Sequence, residues 1–248
     1  MAGAATIIPE ARTDIAVSMP RRLADFPVRL SRSGETTIID GGLDRRVHGC
    51  SRPPGPLAVR IRDRGMVAMA DLPKVVARVP LDARITISDG VSGVVGRSRS
   101  LEFENRGCGD WTVANVGGRL RFDQLGSGAA RIGAVAEATL NLDGAGSIRL
   151  RAVGGPLTAV SSGRGTIFVG RASGPVVARV AGSGAIDIAT GTAPKLNASV
   201  AGSGDIRFGG VAGEVTASVA GPGAINIARA RGSVSRRVFG AGRIVAGR

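Results

Sequence analysis

Along the last two thirds of the chain, short runs in which every second residue is apolar come round again and again. One set begins at Ile148, Ile167, Ile186, Ile206, Ile225 and Ile244, with a second apolar residue two places on at Leu150, Val169, Ile188, Phe208 and Ile227. The other set reads Leu157-x-Ala159-x-Ser161, Val176-x-Ala178-x-Val180, Leu196-x-Ala198-x-Val200 and Val215-x-Ala217-x-Val219. Period-two alternation over five residues predicts a strand with one buried face. Between the two sets falls a Gly-x-Gly turn, at Gly107 and Gly109, Gly126 and Gly128, Gly144 and Gly146, Gly163 and Gly165, Gly182 and Gly184, Gly202 and Gly204, Gly221 and Gly223, and Gly240 and Gly242. The intervals are 19, 18, 19, 19, 20, 19 and 19 residues. A second break, rich in Gly and Pro, separates the strands on the other side, as in Gly154-Gly155-Pro156 and Gly174-Pro175.

Strands of five residues that recur at nineteen can bury their apolar faces only on the equivalent strand of the next repeat, and that makes a coil. The fold expected is all-β, a parallel β-helix of coils of about nineteen residues, with rungs about 4.8 Å apart. Gly belongs at corners where a Cβ resists sharp reversal or close backbone approach. Leucine-rich repeats need Leu-x-x-Leu-x-Leu and Asn, and calcium-binding nonapeptides need a recurring Asp after Gly-x-Gly, which only Asp110 and Asp205 supply. An antiparallel meander of hairpins is the rival that the alternation itself leaves open.

Residues 72–248 are assigned to this solenoid and residues 1–71 to an irregular, β-rich N-terminal cap. Upstream of the first Gly-x-Gly, Val75-x-Ala77-x-Val79 matches the strand before the turn and Ile85-x-Ile87 the strand after it. Residues 88 to 100 then read as a protruding loop, with Leu101-x-Phe103 as the next inner pair. At the other end Arg236 takes an inward position, so the final rung is expected to be frayed or capped.

Composition suits thin aliphatic layers: 39 Gly, 3% aromatic residues and no Tyr, with 43% hydrophobic residues arguing against disorder. The net charge of +14 is almost wholly Arg, since Lys74 and Lys195 are the only lysines among 33 basic residues. Such a surface attracts polyanions, although charge spread for solubility is the alternative. The arginines form no dense run and are not interleaved with aromatics, so nucleic acid is not the expected partner. Cys50 and Cys108 permit one disulfide if the protein is exported. No apolar run reaches the roughly 18 residues of a membrane helix, so no membrane span is expected. The start, MAGAAT, has no n-region or h-region, while its small residues look like the end of a signal peptide. The cell envelope, the exterior and the cytoplasm all stay open on this evidence.

The Gly-Ser-Gly-[Ala/Asp]-Ile turns, together with Ala-x-Val-Ala-Gly-Ser-Gly at 198 to 204 and its variant at 217 to 223, resemble the bacterial auto-transporter adhesin family of the head GIN domain type. The similarity covers about residues 75 to 246. The resemblance implies a right-handed parallel β-helix, export to the envelope or cell surface, and no catalytic residues. The chain departs from the family in carrying few Asp after the turns.

Chemistry is sparse. His48 is the only histidine, lies near Arg45, Arg46 and Cys50, and has no nucleophile elbow beside it. Zinc needs more His or Cys than the chain holds, and no helix or Lys-Ser/Thr follows the Gly-x-Gly turns as a phosphate loop requires. No cofactor, metal or catalytic residue is therefore assigned. In the repeat register Glu104, Asp123 and Asn141 share an outward column and Glu102 and Arg121 the next. That is either a solvated ladder balanced by Arg106 and Arg121, or the start of a cation site of the kind a polysaccharide lyase uses. Arg131 and Arg149 fall on neighbouring rungs, flanked by Arg119 and Arg121, a spacing that could meet sulfates, phosphates or uronates. The expected function is a non-catalytic envelope or surface adhesion module, whose flat polar faces hold a polysaccharide or a protein partner. The alternatives are a scaffold that self-associates through the solenoid ends and, behind it, a carbohydrate-active enzyme.

Overall fold

The computed structural model describes residues 1–21, 25–43, 46–51 and 57–248. Parallel coils of about 19 residues stack through about nine turns into a β-solenoid. The N-terminal region supplies β1 (Ala2–Glu10), β2 (Ala16–Arg21), a hairpin of β3 (Arg29–Ser33) and β4 (Thr36–Asp40), and an antiparallel sheet of β5 (Val47–Ser51), β6 (Ala58–Ile61) and β7 (Gly65–Ala68). A short 3-10 turn and β8 (Lys74–Pro80) lead into the coils.

Each coil has a first strand, a corner and a second strand. The coils run through β9 (Asp82–Ile87) with β10 (Gly90–Val95), β11 (Ser100–Asn105) with β12 (Trp111–Val113), β13 (Val116–Gln124) with the start of β14 (Ala129–Leu142), and the end of β14 with β15 (Ser147–Val153). They continue through β16 (Leu157–Ser161) with β17 (Thr166–Ser173), β18 (Val176–Gly182) with the start of β19 (Ala185–Gly202), and the end of β19 with the start of β20 (Asp205–Ala220). The end of β20 with β21 (Ala224–Ala230), and β22 (Val234–Phe239) with β23 (Arg243–Ala246), complete the stack. First strands pair in parallel only with first strands of adjacent coils, and second strands with second strands, which makes two walls around one core. The long strands β14, β19 and β20 pass from one wall to the other through the second bend without a break.

Residues about nineteen apart do lie over one another. Ile148, Ile167, Ile186, Ile206, Ile225 and Ile244 form one unbroken register, and Ile186, Ile206 and Ile225 are at most 1% exposed. The parallel pairing rules out the meander. The middle inward position of the first wall runs Phe103, Phe122, Leu140, then Ala159, Ala178, Ala198 and Ala217, so the filling changes from aromatic to small along the stack. Where it is aromatic, Phe103 meets Trp111 at 4.9 Å and stacks on Phe122 at 5.1 Å between ring centres. Gly93 leaves room for this, because a Cβ there would sit 2.9 Å from Trp111 Cζ3.

The corner glycines are explained by close approach. From Gly128 onward the carbonyl oxygen of the second Gly accepts the N–H that follows the second Gly of the next coil, as from Ser147 to Gly128, Ala185 to Gly165 and Asp205 to Gly184. That oxygen points up the stack into the space a Cβ would fill: on Gly204 the Cβ would lie 2.3 Å from Gly184 O. The first corner is held by Asn105, fully buried, whose Oδ1 accepts the Gly107 N–H and whose Nδ2 donates to Gly109 O and Gln124 Oε1.

The N-terminal third of the stack corrects the sequence reading in three places. Residues 88 to 100 are not a protruding loop: β10 is a wall strand, with Val91 and Val95 buried. Its corner is Ser88-Asp89, where Asp89 takes φ 65° and its carbonyl receives the Cys108 N–H. Asp89 does there what the first Gly does in later coils. Second, the two early strands are exchanged. β9, with Ile85 and Ile87, pairs with β11 in the first wall, and β8, with Val75 to Val79, belongs to the second wall. Both strands alternate alike, so only register separates them. Third, β1 crosses the division at residue 71, because it runs in parallel between β8 and β10 as part of the second wall, with β2 antiparallel outside β8.

The β5–β7 sheet carries a small core of its own, with Phe26, Leu43, Val59, Ile61 and Leu72 buried. At the far end the inward positions Val234, Arg236 and Val238 of β22 are partly or fully exposed, as the charge at Arg236 implies. Among the described residues no helix is long and apolar enough to cross a membrane.

Candidate binding faces

Parallel register turns each outward position into a column of side chains. On the first wall, Arg84, Glu102, Arg121, Thr139 and Thr158 follow one another, then Val177, Asn197 and Thr216. The neighbouring column runs Glu104, Asp123, Asn141, Val160, Arg179, Ser199 and Ser218. The wall is thus densely ionic near the N-terminal end and mostly uncharged beyond it, where Arg179 and two valines stand among hydroxyl and amide groups.

In the ionic part every carboxylate of the predicted ladder has a donor. Arg84 Nε meets Glu102 Oε2 at 2.8 Å, Arg106 Nε meets Glu104 Oε1 at 2.6 Å, and Arg121 Nε meets Asp123 Oδ2 at 2.8 Å. Asn141 Nδ2 donates to the other oxygen of Asp123 at 2.5 Å. Like charges on adjacent strands are tolerable because these donors sit between them. The same side chains line a shallow groove of about 570 Å³, with Asp143 and Ser162 at its edge. Among the described residues no three His, Cys, Asp or Glu side chains come together as metal ligands. One oxygen each of Glu102 and Glu104 and both oxygens of Asp123 are engaged by Arg and Asn side chains.

A further pair lies at the N-terminal edge of this wall. Arg99 Nε donates to both Asp82 oxygens at 3.0 and 2.9 Å, and Ser100 Oγ donates at 2.7 Å. The Arg99 bond first, then the Ser100 bond, bring the Asp82 carboxyl down to about 2, and Asp82 in turn raises Arg99.

The four arginines singled out in sequence do not form one patch. Arg131 and Arg149 are register neighbours on the outer face of the second wall, and the Arg149 guanidinium lies 5.3 Å from the Phe168 ring centre on the next rung. Arg119 and Arg121 are on the first wall, where Arg119 pairs with Glu137 at 3.4 Å and Arg121 with Asp123. Both walls turn their inner faces to the same core, so their outer faces look in different directions. Of these four, Arg131 and Arg149 have no ion pair with a carboxylate, while Arg119 and Arg121 do.

His48 sits on β5, where its Nε2 accepts a bond from Arg62 Nε at 3.2 Å. Its lone pair faces an arginine rather than a nucleophile. Arg45 lies outside the described residues. Cys50 of β5 is bonded to Cys108, the middle residue of the first Gly-x-Gly corner, with Cα atoms 5.6 Å apart. The disulfide therefore fastens the β5–β7 sheet to the side of the coils.

The sequence reading passed over the uneven charge of the stack. No Asp or Glu follows Glu214, while Arg229, Arg231, Arg236, Arg237, Arg243 and Arg248 do. Counting both signs in a sliding window would have found it.

No family model matches the chain, and no curated protein matches it. Among solved structures, that of a protein from Parabacteroides distasonis ATCC 8503, named "Putative lipid binding protein", is similar with a TM-score of 0.57 at 17% identity. The alignment covers 98% of this chain and 88% of that one, so the likeness runs through cap and coils together and is a likeness of fold.

Proposed function

We propose that this protein is a non-catalytic binding module of the bacterial envelope or cell surface, whose outer walls hold an extended polymer or a partner protein. The observation that carries the reading is the mostly uncharged part of the first wall. There Thr139, Thr158, Asn197 and Thr216 stand in one column, interrupted by Val177, and Asn141, Ser199 and Ser218 in the next, interrupted by Val160 and Arg179. Hydroxyls and amides on neighbouring rungs about 4.8 Å apart offer similar hydrogen bonds at several points along one direction. A repeating chain such as a polysaccharide can use them in series.

Placement outside the cytoplasm is supported by the Cys50–Cys108 bond, since disulfides persist in oxidising compartments, and by the resemblance of the turns to the head GIN adhesins. Lipid is the ligand class in the name of the Parabacteroides protein. In this chain the coil interior is filled by aliphatic and aromatic side chains, so any lipid contact falls on the outside.

A glycan array read together with a reducing-end assay tests the proposal. Binding to at least one polysaccharide is expected, weakened about ten- to thirty-fold by the double variant Asn197→Ala/Thr216→Ala, since each hydrogen bond contributes about 1 kcal/mol. No new reducing ends are expected. Release of reducing ends would assign an enzyme instead, and binding unchanged in the double variant would remove the wall as the site.

A further inference from the structure

We infer that the outer face of the second wall, around Arg131, Arg149 and Arg151, is a docking surface for acidic polysaccharides, chains that carry a carboxylate on successive sugar rings. The inference rests on the reading of the walls as polymer-binding surfaces, and it assigns a different wall and a charged class of polymer.

Register brings the three arginines together on one face. Arg131 of β14 and Arg149 of β15 are partners on adjacent rungs, about 4.8 Å apart. Arg151 lies two places on from Arg149 in β15 and so shares its face, roughly 6.6 Å along the strand. Opposite Arg151, on the rung of Arg131, stands Gly133, between the register pairs Ile132 with Leu150 and Ala134 with Ala152. With no side chain in the way, Arg151 crosses that glycine, and its Nη2 reaches Asn115 Oδ1 at 3.5 Å. Asn115 Oδ1 occupies the space a Gly133 Cβ would fill. The Arg151 guanidinium is thereby brought down to the rung of Arg131.

Arg149 is held from the other side. Its guanidinium lies 5.3 Å from the ring centre of Phe168, the next residue in its column. A cation over an aromatic face is restrained without spending its N–H donors. Part of the entropy of ordering Arg149 is therefore lost before an anion arrives, which favours binding.

Charge selects the ligand. All three arginines are exposed, and among the described residues none of them pairs with a carboxylate, as Arg119 and Arg121 do on the first wall. After Phe168 the same column continues to Asp187, which closes the basic strip at the rungs of Arg131, Arg149 and Phe168. A guanidinium fork matches a carboxylate. A chain with a carboxylate on each ring presents several to the strip at once, so that weak exposed pairs act together. Other polyanions fit less well. Anionic lipid surfaces are recognised by clusters of roughly four to eight basic residues, and affinity for nucleic acid grows with the number of phosphates neutralised. Three guanidinium groups, beside a Phe168 that is itself partly buried, fall short of both.

Titration of the full chain with polygalacturonate, and with its fully methyl-esterified form, tests this, since the ester keeps the backbone and removes the charge. Binding to the acid and not to the ester is expected, weakening as salt rises. Arg131→Gln/Arg149→Gln/Arg151→Gln is expected to weaken it about ten- to a hundred-fold, at about two- to five-fold for each exposed ion pair lost. Phe168→Leu alone is expected to weaken it about two- to five-fold, and to add nothing once Arg149→Gln is in place, because the ring acts through Arg149. The arginine positions are exposed, so thermal melting should stay native; a measurement on the unaltered protein covers the case in which it does not. Polygalacturonate is expected to protect Arg131, Arg149 and Arg151 from phenylglyoxal, read by peptide mass, more than Arg179, which is exposed on the first wall. Absence of binding to the acid, equal binding to acid and ester, indifference to the triple variant, or protection no greater than that of Arg179 would each overturn the inference. So would tighter binding of duplex DNA or of phosphatidylglycerol vesicles than of polygalacturonate at the same salt. The loss from Asn197→Ala/Thr216→Ala is expected on uncharged glycans and the loss from the arginine variant on acidic ones, so the two readings fail separately.

Discussion

Adding one methyl group to Gly204 should destabilise the protein, and adding the same group to Gly154 should not. A Cβ on Gly204 would lie 2.3 Å from Gly184 O and 2.6 Å from Val180 Cγ1. Neither neighbour can retreat freely. Gly184 O holds the Asp205 N–H at 3.2 Å, and Val180 is a core residue, 2% exposed. The φ angle of Gly204 is not in the left-handed region, so backbone strain adds nothing and the cost is one of contact. Overpacking of about 1–3 kcal/mol and a weakened hydrogen bond of about 1 kcal/mol put Gly204→Ala at roughly 2–4 kcal/mol. In a chain of this size that lowers the melting temperature by about 5–15 °C. Gly154, in the second bend, has Val135 O at 3.9 Å as its nearest neighbour, an ordinary contact. There Ala should stabilise by about 0.4–1 kcal/mol through the unfolded chain. Thermal unfolding followed by far-ultraviolet circular dichroism compares the two. Melting temperatures within about 1 °C of each other would refute close approach as the reason for the corner glycines.

Ile206→Asp buries a carboxylate at a position 1% exposed and should abolish cooperative melting of several rungs, whereas Ser218→Asp on the outer face should change stability by less than about 0.5 kcal/mol. Asp82 titrates at about 2 when folded against a reference of 3.8. Its folded value is depressed, so its contribution is full above about pH 4 and is lost as pH falls through 2; acid melts of Asp82→Asn should be flatter across that window. Cys50 and Cys108 are 58 residues apart, and loop-closure entropy puts their bond at about 4 kcal/mol. Reduction should therefore expose the β5–β7 sheet to proteolysis while the coils after residue 110 stay resistant.

The coils could be read in the sequence because one local motif, Gly-x-Gly, marks each corner and the strands on either side alternate. Where the motif is missing the reading failed. Asp89-Gly90 turns the chain eighteen residues before Gly107, but with a non-Gly residue at positive φ it does not look like its successors. The place of β1 has no local signature at all, since its pairing with β8 bridges some seventy residues of intervening chain. Columns such as Glu102 over Arg121 followed from register alone, and the structure reproduces them. Grouping Arg131 and Arg149 with Arg119 and Arg121 did not hold, because period counting along a coil does not say which wall a residue is on. The Cys50–Cys108 pairing likewise needed the position of β5 beside the corner.

Two engineered cysteine pairs distinguish stacked parallel coils from any hairpin arrangement of the same strands. Ser199 and Ser218 are register partners on the outer face of the first wall, about 4.8 Å apart and within disulfide reach. Ser199 and Arg207 flank the Gly202 to Gly204 corner on different walls and would face each other only in a hairpin. Under mild oxidation, Ser199→Cys/Ser218→Cys should close a bond identifiable by peptide mass, and Ser199→Cys/Arg207→Cys should stay reduced. The reverse outcome would contradict the solenoid and every surface column drawn from it.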